Sequence, residues 1–169
     1  MGDYTTLALI LDKEIIGESD SEIHFFTEKL GRVTARAIGA RKILSKLSAH
    51  LEPNSVSFIR LVEKKGFLVT DAIKEKRLNF SFEELLVLKN GTAEFEKDQF
   101  LWEKINEEKL SVSDMLNHFG FNPKFSSCSF CGEEEPEFFY FKKHEYICKR
   151  CVFNFGIQGE EMVSVKKNL

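Results

Sequence analysis

Three observations predict an α+β chain. Residues 1–77 fall into short β-compatible runs separated by turn signals, residues 78–127 change to a helical period, and the last third carries two Cys-x-x-Cys pairs. With 169 residues, 43% hydrophobic and 30% charged, the chain has enough apolar material for a core, which argues against disordered and fibrous classes. No stretch approaches the roughly 18 uncharged apolar residues of a membrane span. Met1 to Asp12 has no basic n-region and no small-residue cleavage site, so a cytoplasmic address is expected.

The first strand is predicted over Thr5 to Leu11 and the second, Glu22 to Thr27, after a polar turn at Gly17 to Ser21. Leu30-Gly31-Arg32 turns into a third strand, Arg32 to Ile38, which Gly39 ends. Ala40 to Ala49 reads as a short helical connection. After the break at Pro53-Asn54 come Ser55 to Glu63 and, beyond Lys64-Lys65-Gly66, Phe67 to Ile73. Five strands with a helix after the third are the pattern of the OB barrel, which removes the exposed edges that so few strands would leave in a flat sheet. A β-sandwich is the alternative, and it normally wants about seven strands.

In the middle segment Ser81-Phe82-Glu83-Glu84 fits a capping box, Phe82, Leu85 and Leu86 line one face, and Gly91 suits a C-cap. A second helix is predicted from Thr92 to about Glu108, with Phe95, Leu101, Trp102 and Ile105 inward. The third opens at Ser111-x-x-Asp114, presents Val112, Met115, Leu116 and Phe119 at helical spacing, and stops at Gly120 before Asn122-Pro123. These stripes, Trp102 and Met115 included, read as packing faces.

Cys128 and Cys131 are separated by 16 residues from Cys148 and Cys151. A Cys-x-x-Cys turn aims two sulfurs at one centre, and two such turns complete the tetrahedron of thiolates that Zn²⁺ takes in closed structural sites. Two disulfides are the alternative, disfavoured by the expected cytoplasmic address. Pro136 to Tyr146 reads as a hairpin around Lys142 to Glu145, making the segment a zinc ribbon; His144 is a substitute ligand in reserve. Four sulfurs leave no open position for water, so a structural rather than catalytic ion is expected, supplying much of the segment's folding free energy.

Net charge is −3, yet Lys29, Arg32, Arg36, Arg41, Lys42 and Lys46 lie in a window, Lys29 to Lys46, that contains no Asp or Glu. Strand alternation puts Val33, Ala35 and Ala37 inside a narrow barrel and Arg32, Thr34 and Arg36 outside. An outward cationic track with aromatics nearby is how OB surfaces hold a single strand, and Phe26 and Phe58 are candidates either for stacking bases or for barrel core. With no phosphate-binding Gly-rich loop, nucleophile elbow or His-Glu-x-x-His, and with His24, His50, His118 and His144 scattered, no enzymatic activity is expected. A metal-dependent nuclease would need clustered carboxylates and an open metal position.

Wording narrows the field further. Gly17-Glu18-Ser19-Asp20, Phe25 through Arg32, Ala37 to Lys42 continuing to Ser45, and Leu51-Glu52-Pro53 resemble the OB domain of the RecO recombination mediator family. Met115-Leu116 to Gly120-Phe121-Asn122-Pro123, running into Cys128-Ser-Phe-Cys131-Gly132, resembles the join between that family's helical domain and its zinc site. The resemblance implies recombinational DNA repair: binding single- and double-stranded DNA, annealing complementary strands, and loading recombinase onto DNA coated by single-strand-binding protein, together with RecR. RecO proteins usually continue with a substantial helical stretch after the zinc site, whereas in this sequence only Val152 to Leu169 lies beyond it. A reduced helical domain is therefore expected, which puts in doubt the family's docking of the single-strand-binding protein's C-terminal tail there. The expected division is 1–77 OB barrel, 78–127 reduced helical domain, 128–151 zinc segment and 152–169 tail. The competing reading is a barrel and ribbon that recruit a repair or transcription partner.

Overall fold

The computed structural model describes residues 2–157, 159 and 161–165. The chain forms two compact units, Met1–Ser81 with Thr92–Lys109, and Phe82–Gly91 with Leu110–Leu169. The segment expected as one helical region is thus shared between them.

In the first unit β1 (Asp3–Ile16), β2 (Asp20–Thr27), β3 (Gly31–Ala37), β4 (Ser55–Glu63) and β5 (Phe67–Arg77) close into a barrel of order β1-β2-β3-β5-β4. This is the five-stranded OB topology the strand pattern predicts. β1 is longer than expected because it serves two neighbours, pairing β4 through Asp3 to Leu9 and β2 through Ala8 to Ile16. A register shift between Ile10 and Asp12 marks the handover, and such a bulge bends the strand around the barrel. Closure is parallel and short: Ala35 faces Phe67 and Arg36 faces Leu68.

Alternation holds on β3, where Val33, Ala35 and Ala37 join Ala8, Ile10, Ile23, Phe25, Ile59 and Leu61 in the barrel core. Gly31 enters β3 at φ +70°, and a Cβ there would collide with the backbone of Glu96. Phe26, next to Phe25, points to the outer face but is fully buried, its ring 6.3 Å from Trp102 on α2 (Gln99–Asn106).

The helix expected over Ala40 to Ala49 does not form. The connection is a series of turns followed by one 3₁₀ turn, Ser48–His50. Ile43 and Leu44 stay in solvent, so no buried apolar stripe is available to hold a short helix together. The second predicted helix starts late: Asp98 accepts the Leu101 N–H at 2.8 Å as N-cap, and α2 begins at Gln99. Phe95 lies outside it at φ +59°, exposed and packed against Phe67.

In the second unit α1 (Phe82–Gly91) buries Leu85, Val87 and Leu88, while Phe82, expected inward, is 77% exposed. Gly91 is still helical; its role is close packing, because a Cβ would strike the Phe119 ring. α3 (Val112–His118) has the predicted capping box between Ser111 and Asp114. It ends at Gly120, φ +89°, where the N–H groups of Gly120 and Phe121 return to the carbonyls of Asn117 and Leu116. Beyond it β6 (Phe138–Tyr140), β7 (Glu145–Ile147) and β8 (Met162–Ser164) form a sheet of order β7-β6-β8. The hairpin is as expected; β8 lies in the segment read as a tail. Phe139 packs against Phe121, Phe141 and Tyr146 at 4.9 to 5.0 Å in an aromatic cluster.

Candidate metal centre and nucleic-acid interface

The four cysteines converge. Gly132, at φ +74°, donates to the Cys128 carbonyl at 2.8 Å and closes the first turn, while the Cys128 N–H is held by the Glu133 carbonyl at 2.8 Å. The Ser129 N–H reaches the Tyr146 carbonyl at 2.9 Å, tying that turn to β7. The second turn leads from β7 into α4 (Lys149–Asn154), with Cys148 just before it and Cys151 in its first turn. All four Sγ atoms lie within 4.8 Å of one another, and Cys131 and Cys148 are 3.7 Å apart. A tetrahedron with Zn–S bonds near 2.3 Å has an S···S edge of about 3.8 Å, so the arrangement fits a four-coordinate ion. Cys128, Cys148 and Cys151 are buried and Cys131 is exposed.

Electrostatics suit thiolate ligands. Burial opposes ionisation of Cys128, but N–H donors from Cys148, Cys131 and Phe130 outweigh it and hold the thiol at about 6. Cys131 is lowered by the Glu133 N–H and by the Arg150 guanidinium. Burial and the neighbouring sulfurs push Cys151 up to about 12 and also raise Cys148, because thiolates this close repel one another. Arg150, ion-paired with Glu133 at 3.5 Å, brings a positive charge to the cluster's edge. His144 is not among the converging ligands; its ring stacks on Phe121 at 5.4 Å.

The six cations, gathered in one window of the sequence, divide between opposite ends of β3. Thr27 pairs with Gly31 at one end and Ser21 with Ala37 at the other, a span of about 20 Å at 3.3 Å per residue. At the first end Lys29 donates to the Thr5 carbonyl at 2.8 Å, and Arg32 donates to the Thr92 carbonyl at 2.8 Å and pairs with Glu94 at 3.3 Å. Toward the second end Arg36, pointing outward as predicted, places Nε and Nη2 3.0 and 2.5 Å from one oxygen of Asp20. The other oxygen of Asp20 accepts the Gly39 N–H at 2.7 Å, and these two partners hold its carboxyl below the usual carboxylate range. Arg41 is spent on neutral partners, the carbonyls of Gly17 and Glu18 at 3.3 and 3.1 Å, and among the described residues it has no ion-pair partner. Among the described residues the side chains of Lys42 and Lys46 have no ion-pair or hydrogen-bond partner.

Arg36 also lines a groove of about 590 Å³ between β3 and the β4–β5 turn, with Thr34, Lys64, Lys65, Phe67 and Leu68; Glu22 is the carboxylate on its wall. Lys64 and Lys65 are exposed. The sequence shows them only as part of the turn between the fourth and fifth strands. Phe26 is too deeply buried to stack a base, whereas Phe58 is 45% exposed, opposite Leu7 on β1 and the exposed Ile73 on β5. His24 is satisfied between Thr34 and Glu14, 3.1 Å from each.

A closed OB barrel with a cationic groove, in one chain with a four-sulfur knuckle, defines the class of OB-fold proteins that carry a metal-binding ribbon. Residues 1–72 match the family model for the N-terminal part of recombination protein O, and residues 113–158 match the model for its C-terminal part. The chain belongs to the RecO family. It is 24% identical to a DNA repair protein RecO of Alkaliphilus metalliredigens over 97% of this chain and 76% of that protein. It is 27% identical to a RecO of Myxococcus xanthus, covering 98% and 78%, and 23% identical to one of Thermodesulfovibrio yellowstonii, covering 88% and 70%. Among the described residues no helix is long and apolar enough to cross a membrane.

Proposed function

We propose that this chain acts in recombinational DNA repair by binding DNA along the barrel groove and the β3–β4 connection, promoting annealing of complementary strands and recombinase loading. The cations would be Arg36, Arg41, Lys42 and Lys46 with Lys64 and Lys65; Lys29 and Arg32 stand at the far end of β3 and act mainly through their local partners. The observation that carries the reading is the groove in which Arg36, Lys64 and Lys65 meet beside Phe67. Contacts of this kind grip phosphates without reading base edges, and among the described residues no element fits the major groove as a recognition helix. Zn²⁺ on Cys128, Cys131, Cys148 and Cys151 would be structural, and nothing in the reading requires catalysis by this chain. Family membership supports a RecR-like partner.

The test is salt dependence. With Arg36 held by Asp20, the other five cations predict that log affinity for single-stranded DNA falls against log salt with a slope of about −3.5. Reversing Lys42, Lys46, Lys64 and Lys65 to Glu should flatten it by about 0.7 for each cation removed. An unchanged slope, measured by fluorescence anisotropy of a labelled oligonucleotide, would overturn the site.

A second reading, a module that recruits a protein partner, is favoured by exposed rings on the ribbon. Phe130 and Phe155 stack at 4.9 Å, Phe153 is exposed beside them in sequence, and the Lys143 ammonium lies 6.0 Å from the Phe130 ring. Aromatic rings rimmed by mixed charge are what protein interfaces select.

A further inference from the structure

The β3–β4 connection has apolar residues where turn chemistry calls for polar ones. The Ser45 N–H donates to the Lys42 carbonyl at 2.9 Å, closing a four-residue turn with Ile43 and Leu44 at its two corners. Those corners normally take Pro, Gly, Asn, Asp or Ser. Here Ile43 is fully exposed and Leu44 is 92% exposed. Single exposed aliphatics need no explanation, but two adjacent ones at a turn apex form a projecting apolar tip.

The tip stands on a fixed base. On one side Ala40 is fully buried in the barrel core, and the Arg41 N–H bonds the Ser19 carbonyl at 2.9 Å. On the other Leu51 is fully buried and Leu47 packs on the same core. His50 is clamped twice: its carbonyl accepts Ser57 Oγ at 2.6 Å, and its Nδ1 accepts the Lys74 N–H at 3.1 Å. Lys42 and Lys46 flank the apex, Arg41 precedes it, and no carboxylate interrupts Lys29 to Lys46. Through Asp20, which holds both Arg36 and the Gly39 N–H, the connection continues from the cationic groove.

We propose that Ile43 and Leu44 form a wedge that enters the base stack of DNA held by the flanking cations. Aliphatic side chains inserted between base steps unstack them, and a turn already closed and anchored loses little freedom on binding. The charge around the apex selects a polyanion, and continuity with the groove selects nucleic acid over other anionic surfaces. Unstacking at that point would present base edges to a complementary strand, a step annealing needs. The inference rests on the DNA-binding reading above and adds residues that the phosphate contacts do not involve.

The full chain is titrated into short single-stranded and duplex oligonucleotides carrying 2-aminopurine, whose fluorescence rises when it leaves the stack. The wild type should give a several-fold rise at saturation. Ile43→Ser with Leu44→Ser should keep the salt slope of binding while losing more than half of that rise. DNA binding with the expected slope but no fluorescence rise, or a full rise in the double variant, would overturn the wedge and leave the DNA-binding reading standing. No binding to either oligonucleotide would overturn both. Co-sedimentation with phosphatidylserine vesicles is the counter-test: loss of vesicle binding in the double variant with an unaltered 2-aminopurine response would assign the tip to lipid instead.

Discussion

Strands of the barrel are 7 to 14 residues long and each is paired on both sides, whereas those of the ribbon are three residues long and β7 and β8 flank a single centre strand. The barrel meets its hydrogen-bonding needs by closing on itself and fills its interior with aliphatic side chains and Phe25. The ribbon cannot do so, since three short strands bury little, and it relies on an aromatic cluster around Phe139 together with four converging sulfurs. Two folding strategies therefore share one chain: cooperative ladder closure in one unit, a point staple in the other.

The largest expected effect separates them directly. Stripping metal with a chelator should unfold the ribbon, with on the order of 10 kcal/mol at stake, and leave the barrel folded. Amide hydrogen exchange would show protection lost over 128–157 and kept over β1 to β5; loss in both would break the distinction. Next, Phe25→Ala should cost about 3–5 kcal/mol of barrel stability through the cavity it leaves, read by urea unfolding, with metal affinity unchanged. A change in metal affinity would mean that the units are not independent. The smallest effect comes from Asp20→Asn, which still accepts the Gly39 N–H but frees Arg36. Its carboxyl, held below the usual range, stabilises the fold above its unfolded value of about 3.9, and that contribution is lost as pH falls through the lower folded value. The variant should be less stable than wild type at neutral pH, with the gap closing in acid, and should steepen the salt slope of DNA binding by about 0.7. An unchanged slope would mean that Arg36 serves only to hold β3.

Legibility in the sequence tracks the range of the interactions. Barrel strands, the α3 capping box and the cysteine turns are set by residues a few positions apart, and each was legible. The connection at Ala40 to Ala49 was not, because a helix there needs a packing surface that Ile43 and Leu44 do not find. The start of α2 was missed through Asp98, an N-cap signal inside a stretch read as helix. The cationic window looked continuous because the partners that divide it are remote: Asp20 lies 16 positions from Arg36 and Glu94 lies 62 from Arg32. Lys64 and Lys65 join the groove only once β5 lies beside β3.

That last pairing has a mechanical corollary. The barrel is a curled ladder fastened at one place by a clasp two rungs long, Ala35 to Phe67 and Arg36 to Leu68. Prising apart those rungs would turn the cylinder into an open sheet without disturbing its other seams. The same four residues line the groove, so whatever fills it lies along the shortest seam of the barrel.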